Sequence, residues 1–222
     1  QYYHKHNLTN GQASFISHGT NLGIFNSIYS IVLVHDEDQE VTENLWRLYT
    51  SLSYAGALAG GYYAHNYVDN KSYTEDDAQF IISAGMLGFF NWVNFGSILE
   101  SHDKYVNIIT LMAAVNGYTY AANEINREFD LEKGQSFIIG LGTVASLSGW
   151  LGLTTILDIE SDDLFTFGNI VTSTAGWYLT HKWVSGSSNK TKAFSSTKLK
   201  FNPTILMSDN KFFPGVQLQA SF

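Results

Sequence analysis

The chain has no cysteine and only two prolines, and charge is scarce. Asp, Glu, Lys and Arg make up 14% of its 222 residues, against about 25% in typical soluble domains. Without cysteine there are no disulfides, no thiolate metal sites and no cysteine nucleophile. Basic charge is shortest of all: 12 Lys and Arg against 20 Asp and Glu leave a formal net charge of −8. A nucleic-acid partner is therefore not expected, because the phosphate backbone calls for a concentrated basic surface. The familiar chemical motifs are missing too, with no G-x-S-x-G nucleophile elbow and no H-E-x-x-H metal helix. GLGTVASLSG, from Gly140 to Gly149, has spaced glycines. It lacks the Lys and the preceding strand of a phosphate loop.

What is present is aromatic and small. Aromatics reach 15%, and there are 19 glycines. Six long stretches carry no Asp, Glu, Lys or Arg: Asn7 to His35, Leu48 to Val68, Ala78 to Leu99, Tyr105 to Asn123, Gly134 to Leu157 and Leu164 to His181. Each is close to the roughly 20 residues that a bilayer-crossing helix needs. Short acidic connectors separate them, and these carry helix-start signals. Ser72 or Thr74 precedes Glu75, Asp76 and Asp77; Ser101 precedes Asp103, Asp130 precedes Glu132, and Ser161 precedes Asp162 and Asp163. The expectation is a mainly α fold, an antiparallel bundle of six helices joined by short loops, occupying residues 1–183.

Small residues are expected to form the seams of that bundle. Ser53, Gly56 and Gly60 lie three and four apart on one helical face. Gly85 and Gly88, and then Gly140, Gly142 and Gly149, repeat the theme in later helices. Glycine costs a helix about 1 kcal/mol relative to alanine, and close backbone approach between helices gives that cost a physical reason. Two arguments about a membrane pull apart. Uncharged segments between charged loops read as a polytopic chain. Yet YVNIITLMAAVNGYTYAAN holds three Asn, two Thr and three Tyr, and only FIISAGMLGFF and FIIGLGTVASLSGWLGL are strongly apolar. The helices are therefore expected either to lie in lipid or to be covered by protein partners.

After Trp183 the texture changes. Residues 184–197 read as a polar linker, and 198–222 as a β-hairpin turning at Ser208 to Lys211. Pro203 and Pro214 confine its strands to edges or bulges. An isolated hairpin is barely stable in water, so this one is expected to pair with something larger. The ending GVQLQASF alternates, with Val216, Leu218, Ala220 and Phe222 in one row after Gly215. It resembles the last strand of bacterial outer-membrane barrel proteins, which ends in Phe. The glycine-punctuated helical hairpins followed by a terminal strand likewise resemble poorly characterised envelope proteins of Gram-negative bacteria. The resemblance implies docking onto a β-barrel or other envelope proteins, contact with membrane lipid, and an exported chain; a first residue of Gln1 in place of Met fits removal of a signal peptide.

The histidines and asparagines are the remaining chemical candidates. His4 and His6 flank Lys5 without a third metal ligand, and His35 opens the acidic run HDEDQE, which lacks the glycine and terminal Glu of a calcium loop. His65 lies among Tyr62, Tyr63 and Tyr67. With Asn91 and Asn94 it offers either a polar path or interhelical hydrogen bonds. No catalytic, metal or cofactor-binding residue is assigned, and none is needed for the function expected here. That function is a non-enzymatic scaffold subunit of an envelope complex. A polytopic channel or transporter is the alternative, and a secreted helical binding module the second.

Overall fold

The computed structural model describes residues 8–35, 42–68, 73–99, 103–188, 198–208 and 211–221. The acidic run from Asp36 to Glu40, the pair His4 and His6, residues 189–197 and Phe222 lie outside them. Among the described residues the charge-poor stretches form six helices: α1 (Asn10–Val34), α2 (Glu43–Val68), α3 (Glu75–Leu99), α4 (Lys104–Ile125), α5 (Gln135–Ile156) and α6 (Asp162–Ser188). A 3-10 turn, Asn126–Glu128, follows α4. The chain divides into two units, Gln1–Ser185 and Gly186–Phe222. Because α6 runs on to Ser188, Val184 to Ser188 continue the helix where the polar linker was expected to begin.

Helix starts are written locally. Thr9 caps α1 in a reciprocal box with Gln12, which satisfies two N–H groups that the helix itself leaves unpaired. Thr74 and Asp77 do the same for α3: the Asp77 carboxylate accepts the Thr74 N–H at 2.8 Å, and the Thr74 hydroxyl accepts the Asp77 N–H at 3.0 Å. Asp103 accepts the N–H groups of Tyr105 and Val106 at the start of α4. The Ser161 hydroxyl accepts the Leu164 N–H at 3.3 Å at the start of α6. Helix α5 departs from expectation. It starts at Gln135, beyond Asp130 and Glu132, and its cap position is Gly134 in the left-handed region at φ 90°, a conformation glycine adopts without steric cost.

The helices associate as three consecutive hairpins. α1 packs along α2 and α3 along α4, while α5 and α6 meet where Gly142 faces Thr180 and Gly176 faces Ser146. α1 also rests on α3 and α4, and α3 on α5. The core gathers where α2 passes to α3 and α4 to α5, with Val68, Tyr73, Phe80, Ile81, Leu131, Ile139 and Trp177 buried together. Elsewhere the surface is unusually apolar. Large side chains stand exposed on the outer faces, among them Tyr54 and Leu58 on α2, Val93 on α3, Ile109 on α4 and Phe137 on α5.

Candidate functional site

Glycine lets these helices touch backbone to backbone. In the first hairpin Gly19 and Gly23 of α1 meet Gly56 and Gly60 of α2. A Cβ at Gly19 would lie 2.8 Å from the Gly60 carbonyl oxygen, and one at Gly23 3.2 Å from the Gly60 Cα. In the second, a Cβ at Gly88 would lie 2.6 Å from the Ala114 carbonyl oxygen, and one at Gly85 2.9 Å from the Thr119 hydroxyl. In the third, Gly142 abuts Thr180. Of the eight expected positions, Gly56, Gly60, Gly85, Gly88 and Gly142 sit in seams of the small-residue kind. Gly140 and Gly149 do not: a Cβ at either meets nothing within 4 Å. Both are exposed on α5. Gly140 stands roughly 200° from Gly142, because a helix turns about 100° per residue. Gly149, about two turns beyond Gly142, falls near the angle of Gly142 and is open there. Ser53 is half-buried and lines the cleft between α1 and α2 that continues from the first seam; its hydroxyl donates to the Tyr49 carbonyl at 3.0 Å.

Under the seams sits a buried polar joint. The Asp77 carboxylate is fully enclosed. It accepts from the Asn126 amide at 2.7 Å and the Leu131 N–H at 2.8 Å, besides its own cap bond to Thr74. A buried carboxylate is tolerable only when its lone pairs are filled this way. The Thr74 hydroxyl donates to the Leu131 carbonyl at 2.9 Å, so one capping pair fixes α3, the end of α4 and the approach to α5. Asp76 completes the joint by accepting the N–H groups of Gly134 and Ser136, which supplies α5 with the cap its own sequence lacks. Phe80 stacks between Trp177, with ring centroids 4.8 Å apart, and His181 at 4.5 Å. Beside it the Tyr73 hydroxyl donates to Asn123 at 2.8 Å. Burial, with Tyr67 next in weight, pushes the Tyr73 phenol above its ordinary value.

The asparagines join helices. Asn91 is buried on α3. Its amide N–H groups donate to Tyr118 of α4 at 2.7 Å and Thr174 of α6 at 3.0 Å, and its oxygen accepts from Ser173 at 2.9 Å. Asn94, one turn along, accepts from Asn169 of α6 at 3.1 Å. Asn26 and Asn116 exchange reciprocal amide bonds at 3.0 and 2.7 Å between α1 and α4. His65 is half-buried on α2, a different helix from the Asn91 and Asn94 pair. Sequence reasoning missed Asp76, Asp77, Asn126 and His181 as a joint. The readable signal was the Thr74-x-x-Asp77 spacing of a capping box; the long-range partners left no local mark.

Among the described residues, two helices are long and apolar enough to cross a membrane, over Glu75–Ile98 and Gln135–Ile156. Beyond the first glycine seam, α1 and α2 also border an apolar cleft of about 500 Å3 lined by Ile24, Ile28, Val32, Trp46 and Tyr54. The Tyr49 hydroxyl and His35 Nδ1, 2.6 Å apart, form its polar edge. The buried Asp77 carboxylate is not among the residues that line this cleft. No protein-family model, curated protein or solved structure matches the chain.

Proposed function

We propose that this chain is a non-enzymatic scaffold subunit of a bacterial cell-envelope assembly, its helices set in lipid or against partner proteins. One observation carries the reading. The most apolar helix is among the least covered: in the most apolar 18-residue window of α5 only 11% of residues are buried. A soluble helix of that composition belongs in a core, and a large contiguous apolar surface marks an interaction site. The polar groups inside the bundle support a structural role, since Asn91, Asn94 and the Asn26–Asn116 pair are spent on bonds between helices. That use favours the scaffold over a channel, in which such groups would line an open path.

The C-terminal segment is the proposed anchor. The proposed hairpin pairs two stretches, β1 (Lys198–Ser208) and β2 (Lys211–Ser221), antiparallel, in a register that sets Phe201 opposite Leu218, Pro203 opposite Val216 and Leu199 opposite Ala220. Two strands alone are marginal in water and leave ladder groups unpaired at both edges. A β partner in the envelope, such as a barrel, supplies what they lack. Gly215, Val216, Leu218 and Ala220 fall in the strand proposed to dock; Phe222, the terminal residue of that row, lies outside the described residues. The test is detergent co-purification of the full chain and of a variant lacking residues 198–222. The truncated chain is expected to keep its helicity and lose its partners. Unchanged association would contradict the anchor.

A further inference from the structure

The three hairpins are three copies of one unit. Phe15-Ile16, Phe80-Ile81 and Phe137-Ile138 open equivalent stretches of α1, α3 and α5. At matching distances these continue with Leu22-Gly23, Leu87-Gly88 and Val144-Ala145, then Phe25-Asn26, Phe90-Asn91 and Leu147-Ser148. The capping threonines Thr9 and Thr74 precede the first two copies at the same spacing. The second helices correspond as well: GGYYAHNYV from Gly60 matches GYTYAANEI from Gly117 and GWYLTHKWV from Gly176. A repeat of this kind implies one supersecondary unit that buries its apolar face by stacking on the next.

The stacking relation is itself repeated. The Thr9 hydroxyl donates to the Tyr73 carbonyl in the connector leading to the second hairpin, at 3.0 Å. The Thr74 hydroxyl donates to the Leu131 carbonyl in the connector leading to the third, at 2.9 Å. Asn26 bonds to Asn116 on the second helix of the next hairpin. Its counterpart Asn91 bonds to Ser173 and Thr174 on the second helix of the one after. Each hairpin thus seats its first helix under its successor.

The third hairpin has no successor among the described residues, and its exposure records this. On α3 the row Phe80, Ala84, Leu87, Gly88 and Asn91 is buried, Phe80 being 0% and Leu87 8% exposed. The same row on α5, Phe137, Leu141, Val144, Ala145 and Ser148, is exposed at every position, with Phe137 at 59% and Val144 at 58%. A terminal repeat that ends an array carries a polar outer face; this one is apolar, and Gly149 and Gly152 beside it leave room for close approach. Among the described residues, the first hairpin presents the complementary surface. Where α4 bonds Asn26 of α1 through Asn116, and Thr119 and Asn123 line the same cleft against α1 and α2, the matching residues of α2, Ala59, Tyr62 and Asn66, are exposed.

We infer that the chain assembles head to tail, the α1–α2 hairpin of a second copy seating on the open row of α5 in the place a fourth repeat would occupy. This rests on reading the bundle as an assembly subunit and names its partner. The contact is heterologous, so it propagates into a ring or a filament without pairing like with like.

The experiment is sedimentation velocity of the full chain in mild detergent, with Val144→Arg blocking the α5 row and Tyr62→Arg blocking the α2 face. Ser148→Arg and Asn66→Arg serve as second variants at each face, and circular dichroism confirms helicity. The parent is expected to associate with concentration, each variant to weaken that association at least tenfold, and an equimolar mixture of the two to form a dimer and nothing larger. Only a head-to-tail contact restores one good interface on mixing. A parent that stays monomeric overturns the inference and leaves lipid or the terminal hairpin as the cover of α5. Variants of the α2 face that still dimerise alone overturn it in favour of α5 pairing with itself. Neither outcome depends on whether the bundle resides in the envelope, which extraction from membranes decides separately.

Discussion

The carboxylate of Asp76, on α3, accepts the backbone N–H of Ser136 at the first turn of α5 at 3.0 Å. One helix is capped by the side chain of another, and the neighbouring Asp77 faces inward to a different set of donors. The two residues are expected to differ sharply on substitution. Asp76→Ala removes a cap and should cost about 1 kcal/mol. Asp77→Ala strands the Thr74 and Leu131 N–H groups and the Asn126 amide in a buried site, and should cost about 2–4 kcal/mol. Denaturant unfolding followed by circular dichroism measures both.

Glycine substitutions separate seam from surface. Gly60→Val places a branched side chain against the α1 backbone near Gly19 and Gly23, and the overpacking should cost at least about 1–3 kcal/mol. Gly140→Ala enters open space and should stabilise the helix by up to about 1 kcal/mol. Thermal melts that shifted both variants in the same direction would contradict the assignment of the seam.

The Asn26–Asn116 pair is suited to a double-mutant cycle. Asn26→Leu leaves a partly buried amide on α4 without its α1 partner and should cost about 1–3 kcal/mol. Replacing both residues with leucine should recover most of that loss, because no amide is then left unmatched. Additive losses would show that the two side chains do not act as a pair.

Tyr73 gives the fold an alkaline limit. Its phenol is held above the ordinary value near 10 by burial first. The neutral form is therefore favoured in the folded chain. Its stabilising contribution is complete below the ordinary value and is lost as the pH rises from there through the raised folded value. Unfolding midpoints should fall above pH 10 for the parent and fall less steeply for Tyr73→Phe. At neutral pH that variant should lose only about 1 kcal/mol, for the bond to Asn123.

The helices were legible because the evidence for them is local. Charge stops where a helix begins to pack, and Ser161, Asp103 and Thr74 mark three of the starts. The facing of each helix was not legible. Gly140 and Gly142 look alike in sequence and point to opposite sides, since only contact with Thr180 decides which is in the seam. Asp76 and Asp77 read as one acidic first turn, yet one caps a helix distant in sequence and the other is enclosed by residues from two connectors. The start of α5 was misplaced for the same reason: its cap comes from α3, so nothing near Gln135 announces it. The repeat was present in Phe15, Phe80 and Phe137 throughout, obscured because later copies trade Gly for Ala and Asn for Ser.

Extraction of the cellular membrane fraction with carbonate, and then with detergent, tests the central claim most directly. The proposed scaffold remains with the membrane through carbonate and leaves it in detergent, since the apolar outer faces of α3 and α5 need lipid or partner protein to cover them. A chain that appeared in the soluble fraction as a monomer would contradict the account.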